Sequence, residues 1–78
     1  MQNIEFVLNR EFVQLNQLLK LTGLCDSGGA GKVLVAQGEV SVNGSVELRK
    51  ACKIRVGQVV TLGDVQITVV AGGKMGSE

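Results

Sequence analysis

Residues 15–44 constrain the fold most, because two helical patterns follow each other there and lead into a strand. The first helix is predicted over residues 15–22, and one apolar stripe along it is formed by Leu15, Leu18, Leu19 and Thr22. Gly23 follows at the position where a left-handed residue commonly ends a helix. Lys20 lies about 140° from the centre of the stripe and is therefore predicted to face solvent.

A second helix is predicted to begin at Asp26 or Ser27, since either side chain can cap its first turn, and to end before Gly38. The buried stripe of this helix is predicted to consist of Ala30, Val33 and Leu34. Lys32 lies about 200° round the helix from Ala30, so it is predicted to face outward like Lys20.

Glycines occupy positions 28, 29 and 31 of the second helix, and each costs it roughly 1 kcal/mol relative to alanine. Two explanations are open. The glycines allow close packing against the first helix, or they allow a phosphate group to approach the helix N-terminus.

Alternating apolar residues predict strands on both sides of the helices. Ile4, Phe6 and Leu8 form the first strand pattern. Val40 and Val42 lead into the turn sequence Asn43-Gly44, which predicts a short strand and turn with Val42 opposite Ser45.

The clearest strand pair is predicted around Gly63-Asp64, between residues 59–62 and 65–69. A two-residue turn there pairs Leu62 with Val65 and collects the apolar side chains on one face. The chain is therefore predicted to form one α/β (α+β) domain over residues 1–72, with two packed helices against a small, mostly antiparallel sheet. Residues 73–78 are predicted to form a mobile tail.

Composition argues against enzymatic chemistry. The chain has no histidine, the commonest general acid, base and metal ligand, and its carboxylates are dispersed. The glycine-rich stretch before Lys32 does not complete a P-loop, because Asp26 and Val33 stand where Gly and Ser or Thr are required. We therefore predict no catalysis, no metal and no cofactor.

The chain also lacks the apolar patterns of membrane and secreted proteins. No apolar run approaches the ~18 residues of a membrane span, and the N-terminus does not resemble a signal peptide. A cytoplasmic monomer is predicted, with Cys25 and Cys52 as reduced thiols. Phe6 and Phe12, the only aromatic residues, are both predicted to belong to the core.

Positive charge is concentrated in one stretch although the net charge is only +1. Four of the seven residues from 49 to 55, here called the basic segment, are cations: Arg49, Lys50, Lys53 and Arg55. With the outward Lys20 and Lys32, the basic segment predicts a surface that binds phosphates. Because no exposed aromatic residue is expected, recognition is predicted to rest on shape, phosphate and 2′-hydroxyl contacts in structured RNA.

A family resemblance rests on residues spread over 15–62. They are Leu15, Leu18-Leu19-Lys20-Leu21-Thr22-Gly23-Leu24, Ser27, Ala30, Leu34, Gly38, Val40-Ser41-Val42-Asn43-Gly44 and Val56-Gly57-Gln58-Val59-Val60. This pattern resembles the S-four RNA-binding domain, also called the αL motif. Glu47-Leu48-Arg49-Lys50 is similar to the Glu-x-Arg-basic stretch of small stand-alone bacterial members.

The resemblance implies a non-catalytic protein that binds structured RNA, ribosomal or transfer RNA, through its helix faces and the basic segment. The RNA-binding candidates that it implies are Lys20, Ser27, Lys32, Asn43, Arg49, Lys50, Lys53 and Arg55. Many members carry Arg or Lys near the start of the first helix, where this chain has Gln14, Asn16 and Gln17, and many carry Arg at the position of Gly28. Binding is then either weaker or more dependent on the basic segment.

Two other functions fit the same residues. The domain could be a protein-interaction module in a ribosome-associated or RNA-modifying complex, with a ribosome-associated protein as partner. It could also be a structural remnant that binds no ligand.

Overall fold

A computed structural model describes residues 2–72, which form two helices and seven strands. In chain order these are β1 Gln2–Leu8, β2 Val13–Gln14, α1 Leu15–Leu21, α2 Gly28–Ala36, β3 Val40–Val42, β4 Ser45–Val46, β5 Lys53–Ile54, β6 Val59–Leu62 and β7 Val65–Ala71. The predicted α+β architecture is confirmed. The predicted tail, 73–78, lies outside the described residues.

The main sheet has five strands in the order β1-β7-β6-β3-β4. β1 and β7, the first and last of the strands described for residues 2–72, run parallel, with Ile4 opposite Ile67 and Phe6 opposite Val69. The other neighbours are antiparallel, so the sheet is mostly antiparallel as predicted. β2 and β5 form a separate antiparallel ribbon.

Both predicted turns have the predicted pairing. Leu62 lies opposite Val65 across the β6–β7 turn, and Val42 lies opposite Ser45 across the β3–β4 turn. β7 continues two residues beyond its predicted end, because Ala71 still pairs with Leu8 of β1. The sequence contained no local signal for this pairing, which joins residues 2–8 to residues 65–71.

The core lies between the helices and the sheet. Its fully buried side chains are Leu15, Leu18, Leu19, Val35, Val40, Ile54, Val60, Ile67 and Val69. The prediction that Val33 is buried is wrong, since this residue is 54% exposed. Gly31 and Val35 are the buried positions of α2, and Val33 lies about 200° round the helix from each of them.

Both helices end at glycines, as predicted, with φ of 80° at Gly23 and 75° at Gly38. Ser27, rather than Asp26, caps α2. Close helix packing accounts for Gly31, because a Cβ there would lie 2.7 Å from the main-chain oxygen of Asn16 on α1. Among residues 2–72, no helix has the length and hydrophobicity needed to cross a bilayer.

Candidate nucleic-acid interface

The basic segment is held against the start of α1 by main-chain hydrogen bonds. The N–H of Leu15 donates to the carbonyl of Cys52 at 2.9 Å, and the N–H of Asn16 donates to the carbonyl of Lys50 at 3.1 Å. The N-cap residue Gln14 makes no side-chain capping bond. Carbonyls of the basic segment therefore satisfy N–H groups that a helix N-terminus leaves without intrahelical partners.

The β2–β5 ribbon fixes the second half of the basic segment. Val13 lies opposite Ile54, and both side chains are buried; Gln14 lies opposite Lys53, and both are exposed. Burial of one face of the ribbon thus places Lys53 on the outer face. A strand was also predicted near Val56, but the described strand ends at Ile54 and Val56 is exposed.

Three cations of the basic segment gather around one concave surface. Arg49, Lys50 and Lys53 line it together with Leu48 and with Ala36, which lies at the end of α2. All three cationic residues are exposed. Arg55, the fourth cation of the basic segment, is not among the residues that line this surface.

Arg49 is oriented by a carboxylate that the sequence did not single out as functional. Its Nε and Nη2 atoms donate to the two oxygens of Glu47 at 2.9 and 3.2 Å, and its main-chain N–H donates to the same carboxylate at 3.0 Å. The Arg49 side chain is 79% exposed and that of Glu47 17%. Glu47 therefore holds one edge of the guanidinium while the rest of it faces solvent.

The pair also changes the ionisation of its members. Hydrogen bonds from the Arg49 side chain and main chain lower the pKa of Glu47 to about 2, and the same carboxylate raises the pKa of Arg49. Both groups are thus charged near neutral pH. The signal available in the sequence was the spacing of two residues, which places side chains on one side of an extended segment.

The prediction that Phe12 belongs to the core is wrong. Phe12 is half-buried and lies outside the core cluster, with the Lys53 Nζ 4.9 Å and the Arg55 Cζ 5.8 Å from the centre of its ring. Arg55 also forms an ion pair with Glu11 at 3.3 Å. Phe6, in contrast, packs against the core as predicted.

The remaining cationic candidates lie apart from this concave surface. Lys20 is exposed in the last turn of α1, and Lys32 is exposed on α2, as predicted. Neither residue lines the concave surface of Arg49, Lys50 and Lys53. Their part in binding stays a prediction.

The two polar candidates both contribute to the fold. The Ser27 hydroxyl accepts a hydrogen bond from the N–H of Ala30 at 3.1 Å and caps α2. The Asn43 side-chain oxygen accepts from the N–H of Val59 at 2.9 Å and links the β3–β4 turn to β6. These bonds account for both residue types, and a contact with RNA stays a prediction for each.

The cysteines are free thiols, as predicted. Burial raises the pKa of the Cys52 thiol, which donates to Glu47 at 3.7 Å. Cys25 donates to the carbonyl of Ser27 at 3.3 Å. Residues 2–72 contain no cluster of three or more His, Cys, Asp or Glu side chains that could hold a metal ion.

Comparison with known proteins decides the family. The sequence model of the S4 domain family matches residues 6–70 of this chain. The chain belongs to the S4 domain family. The resemblance inferred from residues 15–62 is therefore confirmed, and this S4 domain carries the basic segment inside the matched range.

Two curated bacterial relatives are similar over most of their length. YbcJ of Escherichia coli (strain K12) is 48% identical over 59 residues, which cover 76% of this chain and 84% of YbcJ. RlbA of Bacillus subtilis (strain 168), whose name describes ribosome maturation, is 36% identical over 55 residues, covering 70% of this chain and 78% of RlbA.

The fold has a solved counterpart. The solution structure of E. coli YbcJ superposes with a TM-score of 0.68 at 44% sequence identity and covers 86% of each chain. That structure is described as revealing an αL motif involved in RNA binding. This S4 domain thus has the αL fold that its sequence predicted.

Proposed function

We propose that this S4 domain is a non-catalytic, cytoplasmic protein that binds structured RNA, ribosomal or transfer RNA, as a monomer. The observation that carries the proposal is the gathering of Arg49, Lys50 and Lys53 around one concave surface whose backbone is fixed by α1. A fixed backbone lets several cations meet neighbouring phosphates without first ordering a loop.

The three cations would bind phosphate in different ways. Arg49 presents the exposed part of a guanidinium that Glu47 already orients, which favours directional hydrogen bonds to phosphate oxygens. Lys50 and Lys53 act as mobile point charges. Lys20 and Lys32 would extend the contact along the two helices, which pack against each other.

The names of the relatives support an RNA target. The YbcJ fold is described as involved in RNA binding, and RlbA is named for ribosome maturation. We therefore favour ribosomal RNA over transfer RNA as the first ligand to test. The basic segment recognises the phosphate backbone, so its contacts favour the shape of the RNA over its base sequence.

A protein partner is a second candidate function, and one observation favours it. Val46 and Leu48 are exposed beside Gly38, where their side chains lie 3.9 and 3.8 Å from the position a Cβ would take. Leu48 also lines the concave surface of Arg49, Lys50 and Lys53. A ribosome-associated protein could cover these apolar side chains while RNA occupies the cations.

Amide mapping tests the proposal. A ribosomal RNA hairpin is titrated into the ¹⁵N-labelled chain at low salt. The largest shifts are expected at residues 49–55, with smaller shifts at Lys20 and Lys32. Shifts confined to β1 and β7 would contradict the site, and an unchanged spectrum with ribosomal and transfer RNA would contradict RNA binding.

Affinity capture separates the two candidates. The tagged chain is recovered from a bacterial lysate with and without ribonuclease. Loss of all partners after ribonuclease supports RNA binding alone. A ribosome-associated protein that remains bound to wild type, but not to a variant with Val46→Ser and Leu48→Ser, supports the protein-interaction function.

A further inference from the structure

A second concave surface lies on the side of α1 that adjoins β1 and β2. Val7, Arg10, Phe12, Gln14, Gln17 and Leu21 are among the residues that line it. Two of these, Val7 and Leu21, are large apolar side chains exposed to solvent. The surface therefore combines an apolar floor with polar side chains around it.

Phe12 connects this surface to the cations of the basic segment. Phe12 precedes β2, where Gln14 lies opposite Lys53 and the intervening Val13 points into the core. Alternation along the strand places Phe12 on the same outer face as Gln14. Lys53 and Arg55 lie over the Phe12 ring, so an aromatic group and two cations share this face.

The chemistry of the surface matches a nucleotide. A nucleobase has apolar faces that stack on aromatic rings and an edge of hydrogen-bond donors and acceptors. Gln14 and Gln17 are among the lining residues, and their side-chain amides offer both donors and acceptors. Lys53 and Arg55 supply positive charge for the attached phosphates, although Glu11 neutralises part of Arg55.

We infer that this surface, here called the Phe12 pocket, binds an unpaired nucleobase of the RNA whose phosphates contact the basic segment. The inference rests on the proposed RNA-binding function and adds a base-contacting site to it. It changes the kind of RNA expected: a hairpin or bulge with an accessible base is bound more tightly than a continuous duplex.

The ring signals of the two phenylalanines provide a direct test. The chain has no Trp, Tyr or His, so Phe6 and Phe12 are the only aromatic rings in its spectrum. The chain is labelled at its phenylalanine rings and titrated with an RNA hairpin that has an unpaired loop, and separately with a blunt duplex of matched composition. The Phe12 signals are expected to shift upfield with the hairpin alone. Phe6 also lines this surface but packs against the core, so its signals should shift less.

Affinity measurements with variants complete the test. Phe12→Ala is expected to weaken hairpin binding by about fivefold or more and to leave duplex binding unchanged, as for loss of a stacked base. Val33→Ala, at an exposed apolar residue of α2 outside the pocket, is the matched control and should leave both affinities unchanged. Folding of each variant is checked from its amide spectrum, and the ring titration needs no substitution.

The outcomes separate this inference from the proposed function. If the hairpin shifts amides of residues 49–55 but not the Phe12 ring, the RNA-binding function stands and the Phe12 pocket is refuted. Equal loss of hairpin and duplex affinity in Phe12→Ala also refutes it. If neither RNA shifts any amide, the proposed function and this inference both fail.

Discussion

Glu47 accepts hydrogen bonds from both the side chain and the main chain of Arg49, two residues later in the chain. The two side-chain bonds occupy one edge of the guanidinium, at 2.9 and 3.2 Å. A flexible exposed arginine thereby acquires a preferred direction. Such preorganisation reduces the side-chain entropy that binding would otherwise cost.

The Glu47–Arg49 pair predicts an unusually acidic glutamate. The carboxyl ¹³C signal of Glu47 should titrate with a midpoint of about 2, instead of the ordinary 4.5. Because the folded pKa is the lower one, the pair stabilises the fold above pH 4.5 and loses that contribution as the pH falls toward 2.

The matched variant for this titration is Arg49→Gln. It removes the guanidinium but retains a polar side chain, so the Glu47 midpoint should move back toward 4.5. A Glu47 midpoint near 4.5 in the wild-type chain would show that Arg49 is not held in solution.

Helix packing at Gly31 predicts opposite effects for two similar substitutions. In Gly31→Ala the new methyl group would lie 2.7 Å from the Asn16 main-chain oxygen, so α1 and α2 must move apart. This overpacking should lower the free energy of unfolding by about 1 to 3 kcal/mol in urea denaturation.

Gly29→Ala is the control, because a Cβ there meets only the Ser27 hydroxyl at 3.7 Å. It should raise the free energy of unfolding by up to about 1 kcal/mol through better helix propensity. Equal effects of Gly29→Ala and Gly31→Ala would contradict the packing explanation for Gly31.

The turn at Asn43 makes a third prediction. Asn43 has a φ of 53° and its side chain accepts a hydrogen bond from Val59. Asn43→Gly loses only the side-chain bond and should reduce the free energy of unfolding by about 1 kcal/mol. Asn43→Ala must also adopt a left-handed backbone, which adds about 1 to 2 kcal/mol.

Thermal or urea unfolding of the two Asn43 variants measures this difference. An alanine variant as stable as the glycine variant would show that the turn changes conformation in Asn43→Ala. The same pair of proteins separates the structural role of Asn43 from a contact with RNA, because any loss of affinity shared by both reflects the missing amide group.

Local signals in the sequence predicted local features of the fold well. Asn43-Gly44 and Gly63-Asp64 set the registers of their turns, and Gly23 and Gly38 end the helices. These features depend on backbone preferences of a few neighbouring residues. The parallel pairing of β1 with β7 depends on contacts between the two ends of the chain, and no local pattern encodes it.

The two wrong burial predictions concern apolar residues that lie on the exposed face of an element whose other face is buried. Val33 has the apolar character of a core residue, but Gly31 and Val35 face α1 and leave Val33 exposed. Phe12 is apolar too, yet β2 buries Val13 and so leaves Phe12 beside the cations. Hydrophobic type alone therefore did not determine which face of either element was buried.

The candidate site was predicted in its residue types but not in its arrangement. A count of cations identified the basic segment. The carbonyls of Lys50 and Cys52, which accept bonds from α1, fix where those cations lie. Such bonds use main-chain atoms, so the side chains in the sequence carry little information about them.

The salt dependence of RNA affinity tests the central claim, that cations of the basic segment contact phosphates. Affinity for a ribosomal RNA hairpin is measured over a range of salt for wild type and for a variant with Arg49→Gln and Lys50→Gln. The control carries Gln2→Glu and Asn3→Glu on β1, which lowers the net charge by the same amount. The slope of log affinity against log salt is negative, and each lost phosphate contact should reduce its magnitude by about 0.7 to 0.9.

For the variant with Arg49→Gln and Lys50→Gln we therefore expect the magnitude of the slope to fall by about 1.4 to 1.8. The control should keep the wild-type slope. If the slope of the Arg49 and Lys50 variant equals that of wild type, the basic segment does not contact the RNA backbone. If both variants lose slope equally, net charge rather than this site governs binding. Either result would contradict the account.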